Sequence, residues 1–240
     1  MSLFILLTLL LAPLYFLALI IGYRWRTSIG PRIVQCYATV CLVIFRVRIA
    51  APKNRCAFRN VRRGILIVAN HSNFLDIFVL SSVFGGAFVS KAEVRNYPII
   101  GQIASLMGNI FLDRDSRKER LRLIKTIARS CSDRIIVVFP QGTTSRAAEP
   151  LPFNRGIFKA IELNPEISLL PVTLSYREEA EIAWQKFQSL AKHVMQVSSR
   201  ERVHVTVTVH PPVCIEDYRG RTSADVCSMV EQIVLQPLKT

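Results

Sequence analysis

Short continuous apolar runs punctuate the chain at "GILIVAN" (64–70), "GAFVSK" (86–91), "RIIVVFP" (134–140) and "ISLLPVTLS" (167–175). Runs of this length without alternation read as strands buried on both faces, as in a mainly parallel sheet. Two other segments alternate. "VIFRVRIA" (43–50) sets Phe45, Val47 and Ile49 against Arg46 and Arg48, and "VHVTVTVHPPV" (203–213) sets Val203, Val205, Val207 and Val209 on one side. Both predict half-buried strands. Between the strands lie helical patterns. Ser116 with Glu119 forms a capping-box signature ahead of a stripe of Leu121, Ile124, Ala128 and Cys131. A further helix is expected from about Ser223 to Gln236. Strands alternating with helices predict an α/β domain with a mainly parallel sheet flanked by helices.

The N-terminus breaks this pattern. Residues 1–23 carry no charge, and Arg24 and Arg26 come after the run rather than before it. That order fits a retained anchor better than a cleaved signal peptide. Pro13 divides the run, and a second apolar stretch, 33–45, is short for a span, so the two can also form a helical hairpin dipping into one leaflet. The expected organisation is a membrane-associated helical segment over 1–45 and an α/β domain over 46–240. The net charge of +14 is concentrated beside the anchor: residues 24–63 hold ten Lys and Arg and no acid. Such a segment suits an anionic membrane surface, and the positive-inside rule places the chain beyond Arg24 on the cytoplasmic face, the inner membrane in a bacterium. Nucleic acid, the other common partner of a basic chain, lacks an aromatic–basic signature here.

Chemistry is concentrated where strands end. "NHSNFLD" (70–76) comes directly after the first buried run, and "FPQGTTSR" (139–146) ends another. In α/β domains sites gather at the carboxyl ends of strands. On a regular helix His71 and Asp76 would point about 140° apart. They pair only if His71 occupies the strand-to-helix turn and Asp76 the first helical turn. A carboxylate on one imidazole nitrogen then fixes the tautomer and supports the charge formed when the other takes a proton. The spacing alone is a weak motif, and a helix-cap or core histidine is the competing reading.

The four segments "NHSNFLD", "GNIFLDRD" (108–115), "FPQGTTSR" and "LLPVTLS" (169–175) occur in an order that resembles the blocks of the glycerolipid acyltransferases, the lysophosphatidic acid acyltransferase family. The resemblance covers roughly residues 60–180. It implies a membrane-bound enzyme in which His71 deprotonates a lysolipid hydroxyl and Asp76 orients His71. The oxygen attacks an acyl thioester of coenzyme A or acyl carrier protein directly, with no further cofactor and no metal. Arg114 matches the second-block arginine and would bind an anionic head group, as a guanidinium suits phosphate. Lys91, which falls where the family commonly has a basic residue, and Asn70, which precedes the histidine, would also contact substrate. In the third block, Gln141, Gly142, Thr143, Thr144 and Arg146 would meet the acceptor, with amides near Gly142 as oxyanion donors. This block departs twice from the family's Phe-Pro-Glu-Gly-Thr-Arg-Ser: Gln141 stands for glutamate and Thr144 for arginine. The acceptor is then 1-acylglycerol-3-phosphate or a related lysolipid, with a phosphate-free lysolipid such as lyso-ornithine lipid as the alternative. A non-catalytic lipid-binding protein and a hydrolase on the same dyad are rival readings.

Other features take plainer readings. "DRDSRKE" lacks the oxygen ligand and glycine of a calcium loop. Six cysteines, at 36, 41, 56, 131, 214 and 227, show no metal spacing and read as free thiols. His193, His204 and His210 read as solvated surface.

Overall fold

The computed structural model describes residues 30–53, 64–96, 101, 104–105, 108–113, 116–185 and 188–239. The charge-free run 1–23 and Arg114 lie outside these residues. Among the described residues, seven strands form one sheet: β1 (Val47–Lys53), β2 (Ile65–Ala69), β3 (Ala87–Lys91), β4 (Ile110–Leu112), β5 (Ile136–Val138), β6 (Ser168–Tyr176) and β7 (Val203–Val209). Their order is β1-β7-β6-β2-β5-β3-β4. β6, β2, β5, β3 and β4 run parallel, β7 is antiparallel to β6, and β1 is parallel to β7. The mainly parallel sheet read from the continuous apolar runs is therefore present. The alternating run 203–213 marks the strand that reverses direction.

β2 sits at the centre, and all five of its residues are buried. Leu66 and Val68 face one core, while Ile65, Ile67 and Ala69 face the other. The first face is covered by α3 (Arg117–Ser130) and α8 (Ser223–Leu235). The second is covered by α1 (Gly30–Ile44) and α2 (Leu75–Phe84), with α5 (Glu179–Ile182) and α6 (Leu190–Ser198) beyond them. Two further short helices lie among the described residues, α4 (Ala160–Leu163) and α7 (Ile215–Tyr218). α2 is apolar on nearly every side, as befits a helix enclosed between a sheet and a second helix. α1 packs on it through Tyr37, and Phe45 just beyond α1 meets Phe74 edge-on at 5.1 Å. Among the described residues, no helix is long and apolar enough to cross a membrane.

Several local expectations change. The segment read as a strand from residue 43 begins as the last turn of α1. Arg46 then takes a positive φ of 55°, and β1 starts at Val47. In α3 the buried residues are Leu123, Ile124, Ile127 and Ala128, whereas Leu121 is 52% exposed. Ser116 caps this helix by accepting from the Glu119 amide, but the Glu119 carboxylate pairs with Arg122 rather than closing the box.

Candidate active site

The loop between β2 and α2 carries the site. β2 fixes the backbone up to Ala69. Asn70 then extends the ladder with its side chain: its Nδ2 donates to the Leu174 carbonyl at 2.9 Å, and its Oδ1 accepts from the Leu174 amide at 2.8 Å. A buried amide side chain that mimics a peptide in this way braces the loop against β6. The chain turns through His71, Ser72 and Asn73 and enters α2. Phe74, at the cap position, makes no side-chain cap. The Leu75 amide is instead taken by Asn73 Oδ1 at 2.8 Å, and the Asp76 carboxylate reaches back to the turn before the helix, accepting from the amides of Ser72 at 2.7 Å and Asn73 at 3.0 Å. These are amides that no helical carbonyl can satisfy.

The same carboxylate meets the histidine. His71 Nδ1 lies 2.7 Å from Asp76 Oδ2. Two backbone N–H groups already point at this oxygen, so it acts as acceptor and Nδ1 carries the proton. That leaves Nε2 as the lone-pair nitrogen, the arrangement a general base requires. Asp76 is fully buried, while the His71 side chain keeps 17% of its surface open. The ring lies flat on Phe139, centroids 4.1 Å apart and planes 13° apart, which sets its orientation. The strand-to-helix placement inferred from the sequence is the one observed, and it brings together two residues that a regular helix would hold apart.

The turn after β5 is tied to this loop. Gln141 Oε1 accepts from the His71 amide at 2.8 Å, and Ser145 N donates to the His71 carbonyl at 2.9 Å. Gln141 Nε2 donates to Ser145 Oγ at 2.7 Å and to the Leu151 carbonyl at 3.1 Å. The fixed backbone donor at His71 assigns the amide's orientation. A glutamate here would turn a second carboxylate oxygen toward the Leu151 carbonyl, so glutamine is the better fit to this turn. Gln141 and Asn70, both read as substrate contacts from the sequence, thus have their side chains engaged in holding the two loops together. Gly142 takes φ 78°, a left-handed conformation natural to glycine, and its amide donates to the Phe139 carbonyl at 3.0 Å. That amide is committed to the turn and is not an open oxyanion donor. Thr143 and Arg146 are exposed and Thr144 is half-buried. Lys91 is the exposed last residue of β3, on the same carboxyl edge of the sheet as the β2 and β5 loops. Among the described residues, no group of three or more His, Cys, Asp or Glu is arranged to hold a metal.

Two residues at the site carry no signal in the motifs. Tyr176, at the end of β6, donates its hydroxyl to Asp76 Oδ1 at 2.8 Å, so the carboxylate receives donors on both oxygens. His193 is not solvated surface. It is fully buried on α6, stacked on Trp184 with centroids 4.7 Å apart and edge-on to Phe74 at 5.4 Å. Neither of its ring nitrogens has a hydrogen-bond partner among the described residues. Trp184 in turn donates its amide to the Ser72 carbonyl, fastening this packing to the loop that carries His71. The other two histidines are paired: His204 with Glu178 at 2.7 Å and His210 with the Thr173 hydroxyl at 2.8 Å.

Burial pulls the His193 imidazole down from 6.5 to about 4; the His71 charge works the same way, and Asp76 and Gln196 oppose it. Unfolded, this ring takes a proton near pH 6.5; folded, it resists to about pH 4. The unfolded state therefore binds more protons between these limits, and stability falls as pH drops through them. Between pH 7.5 and pH 5 the loss from this one group is about 2 kcal/mol. In denaturant titrations at the two pH values, His193→Phe is expected to lose less stability than wild type by about that amount. Parallel losses in the two proteins would show that His193 is not the source.

A mainly parallel α/β sheet with a His–Asp pair at the mouth of its central strand, the histidine partly open and the carboxylate sealed, is an arrangement suited to general-base chemistry. Comparison with known proteins gives the family. The acyltransferase family profile matches residues 47–175, and the chain belongs to that family and is an acyltransferase. The lyso-ornithine lipid O-acyltransferase of Rhodobacter capsulatus is 30% identical over 210 residues, covering 83% of this chain and 73% of that protein. Its namesake from Rhizobium meliloti is 31% identical over 182 residues, covering 72% of this chain and 59% of that protein. The 1-acyl-sn-glycerol-3-phosphate acyltransferase of Neisseria gonorrhoeae is 31% identical over 121 residues, covering 48% of this chain and 46% of that protein. In fold, the crystal structure of the 1-acyl-sn-glycerophosphate acyltransferase of Thermotoga maritima superposes with a TM-score of 0.69 at 19% identity, covering 99% of this chain and 94% of the other.

Proposed function

We propose that the chain transfers an acyl group from a thioester to the free hydroxyl of a lysolipid whose head group carries no phosphomonoester, of the lyso-ornithine kind. The observation that carries the acceptor class is the turn after β5. Gln141 is neutral and engaged within the protein, and Thr144 stands, half-buried, where the family pattern has an arginine. A hydroxyl cannot clamp a phosphate as a guanidinium does. The names of the Rhodobacter and Rhizobium relatives support the same acceptor.

The dyad supplies the chemistry. His71 Nε2 takes the proton of the acceptor hydroxyl as its oxygen forms a bond to the thioester carbonyl carbon. The imidazolium is stabilised by Asp76 through Nδ1. The tetrahedral intermediate collapses, the carbon–sulfur bond breaks, and the thiol leaves with the proton held by His71. The amides of Thr143 and Thr144, which donate to no group among the described residues, are the oxyanion donors in this scheme. The donor is a thioester of coenzyme A or of an acyl carrier protein; the exposed cations of α3 suit either an acidic carrier or an anionic bilayer. Residues 1–45 supply membrane association in this reading, with the α/β domain on the cytoplasmic side.

The test is competition between acceptors. The purified full chain, in detergent with labelled acyl thioester, is offered lyso-ornithine lipid and 1-acylglycerol-3-phosphate together. The expected product is the acylated ornithine lipid, preferred by about tenfold or more, the range in which one missing phosphate contact is felt. Preferential acylation of the glycerol phosphate would return the acceptor to the phosphate class and assign its recognition to residues other than Thr144.

A further inference from the structure

We propose that Tyr176 is a positioning residue of the acyl-transfer reaction, its buried phenol holding the second oxygen of Asp76 and thereby setting how strongly His71 attracts a proton. The inference rests on the general-base reading above and extends it to a residue 100 positions from the motif.

The geometry is specific. Asp76 Oδ2 receives His71 Nδ1 and two backbone amides, and Oδ1 receives the Tyr176 hydroxyl at 2.8 Å. The plane of the carboxylate is fixed from both sides, so Oδ2 points at Nδ1. Tyr176 is itself held, because β6 is clamped to the catalytic loop two residues earlier by the reciprocal pairing of Leu174 with Asn70. Burial, reinforced by the Asp76 charge, raises the phenol well above its ordinary range, so it remains a donor throughout the working pH of an enzyme. His193 on α6, which is neutral above about pH 4, also faces the dyad.

The consequence is electrostatic. Removing a donor from a buried carboxylate leaves more of its negative charge unshared, and that charge acts on the nearest proton carrier. Without the phenol, His71 holds a proton more tightly, and the base is available only at higher pH. A purely packing role for the ring predicts no such change, since phenylalanine fills the same space.

The experiment compares wild type with Tyr176→Phe as full chains in detergent, measuring kcat/KM from pH 5 to 9. The acid limb is expected to move to higher pH by about half a unit or more, with kcat at the plateau lower and KM little altered. Replacing Tyr176 with a ring-fluorinated tyrosine, a stronger donor of nearly the same shape, is expected to move the limb the other way. The Nδ1 proton resonance of His71 should shift in both proteins, and this signal needs no substrate, so it reads the role of Tyr176 even if acyl transfer itself were absent. An unmoved acid limb and an unmoved Nδ1 resonance in both variants would overturn the inference and leave Tyr176 a packing residue.

Discussion

His71→Ala is expected to lose acyl transfer by roughly a thousand-fold or more in kcat, with KM for both substrates nearly unchanged. General bases of this kind contribute about 10²–10⁴ in rate. The substitution removes the nitrogen placed to take the hydroxyl proton, and the surrounding loop does not depend on the ring. His71 holds its place through backbone bonds, donating its amide to Gln141 and accepting from Ser145 with its carbonyl, and those bonds survive truncation. What the alanine loses in packing is the stack on Phe139, which lies at a partly open site. The variant should therefore fold and bind. Steady-state kinetics alongside a thermal midpoint separate the two effects. A variant that is inactive and also much less stable would show that the ring is structural.

The second large effect concerns Asp76. Two backbone amides and the His71 Nδ1–H all point at one oxygen, so an asparagine fits with its own oxygen there and its NH₂ toward Tyr176, whose hydroxyl turns to accept. The turn before α2 and the tautomer of His71 are both preserved. What is lost is the negative charge that balances the imidazolium. Asp76→Asn is expected to lower kcat by about 10²–10⁴-fold, the loss falling on the transition state rather than on binding. Asp76→Ala removes the acceptor as well. It leaves the Ser72 and Asn73 amides and the Tyr176 hydroxyl unpaired in a buried place, and it should destabilise the fold by a few kcal/mol. An asparagine variant with wild-type kcat would mean that the dyad's charge has no part in the reaction.

The central architecture was legible because continuous apolar runs have few alternatives once helical patterns lie between them. β2, β3, β5 and β6 all coincide with such runs. The ends of elements were less legible. Val43 alternates correctly with Phe45 and Val47, yet it belongs to α1 with Ile44, because the preceding residues keep helical spacing and the break comes only at Arg46. β4 is three half-buried residues inside a motif block, too short to announce itself as a strand. In α3 the stripe differs at its first member: Leu123 faces the core with Ile124, and the similar Leu121 does not.

At the site, the sequence pointed to the pair whose partners are five residues apart and was silent on the contacts that cross the fold. Asn70 to Leu174, His71 to Gln141 and Tyr176 to Asp76 join residues 70 to 104 positions apart. Nothing local distinguishes an asparagine that braces a strand from one that contacts a ligand. His193 did leave a trace, since it shares the buried side of α6 with Val197 at helical spacing. The polar neighbours on its other sides obscured it.

The most direct measurement is the fate of a labelled acyl chain. The purified full-length chain is incubated with acyl thioester and either lyso-ornithine lipid or its deoxy analogue, which lacks the attacking hydroxyl. Label is expected in an O-acyl ester with the hydroxyl-bearing lipid alone, and neither ester nor free fatty acid should accumulate with the analogue. Free fatty acid released at the same rate with both lipids would make the dyad a hydrolytic one, and tight lipid binding with no turnover would make the protein a carrier; either result would contradict acyl transfer to a lysolipid hydroxyl by His71 and Asp76.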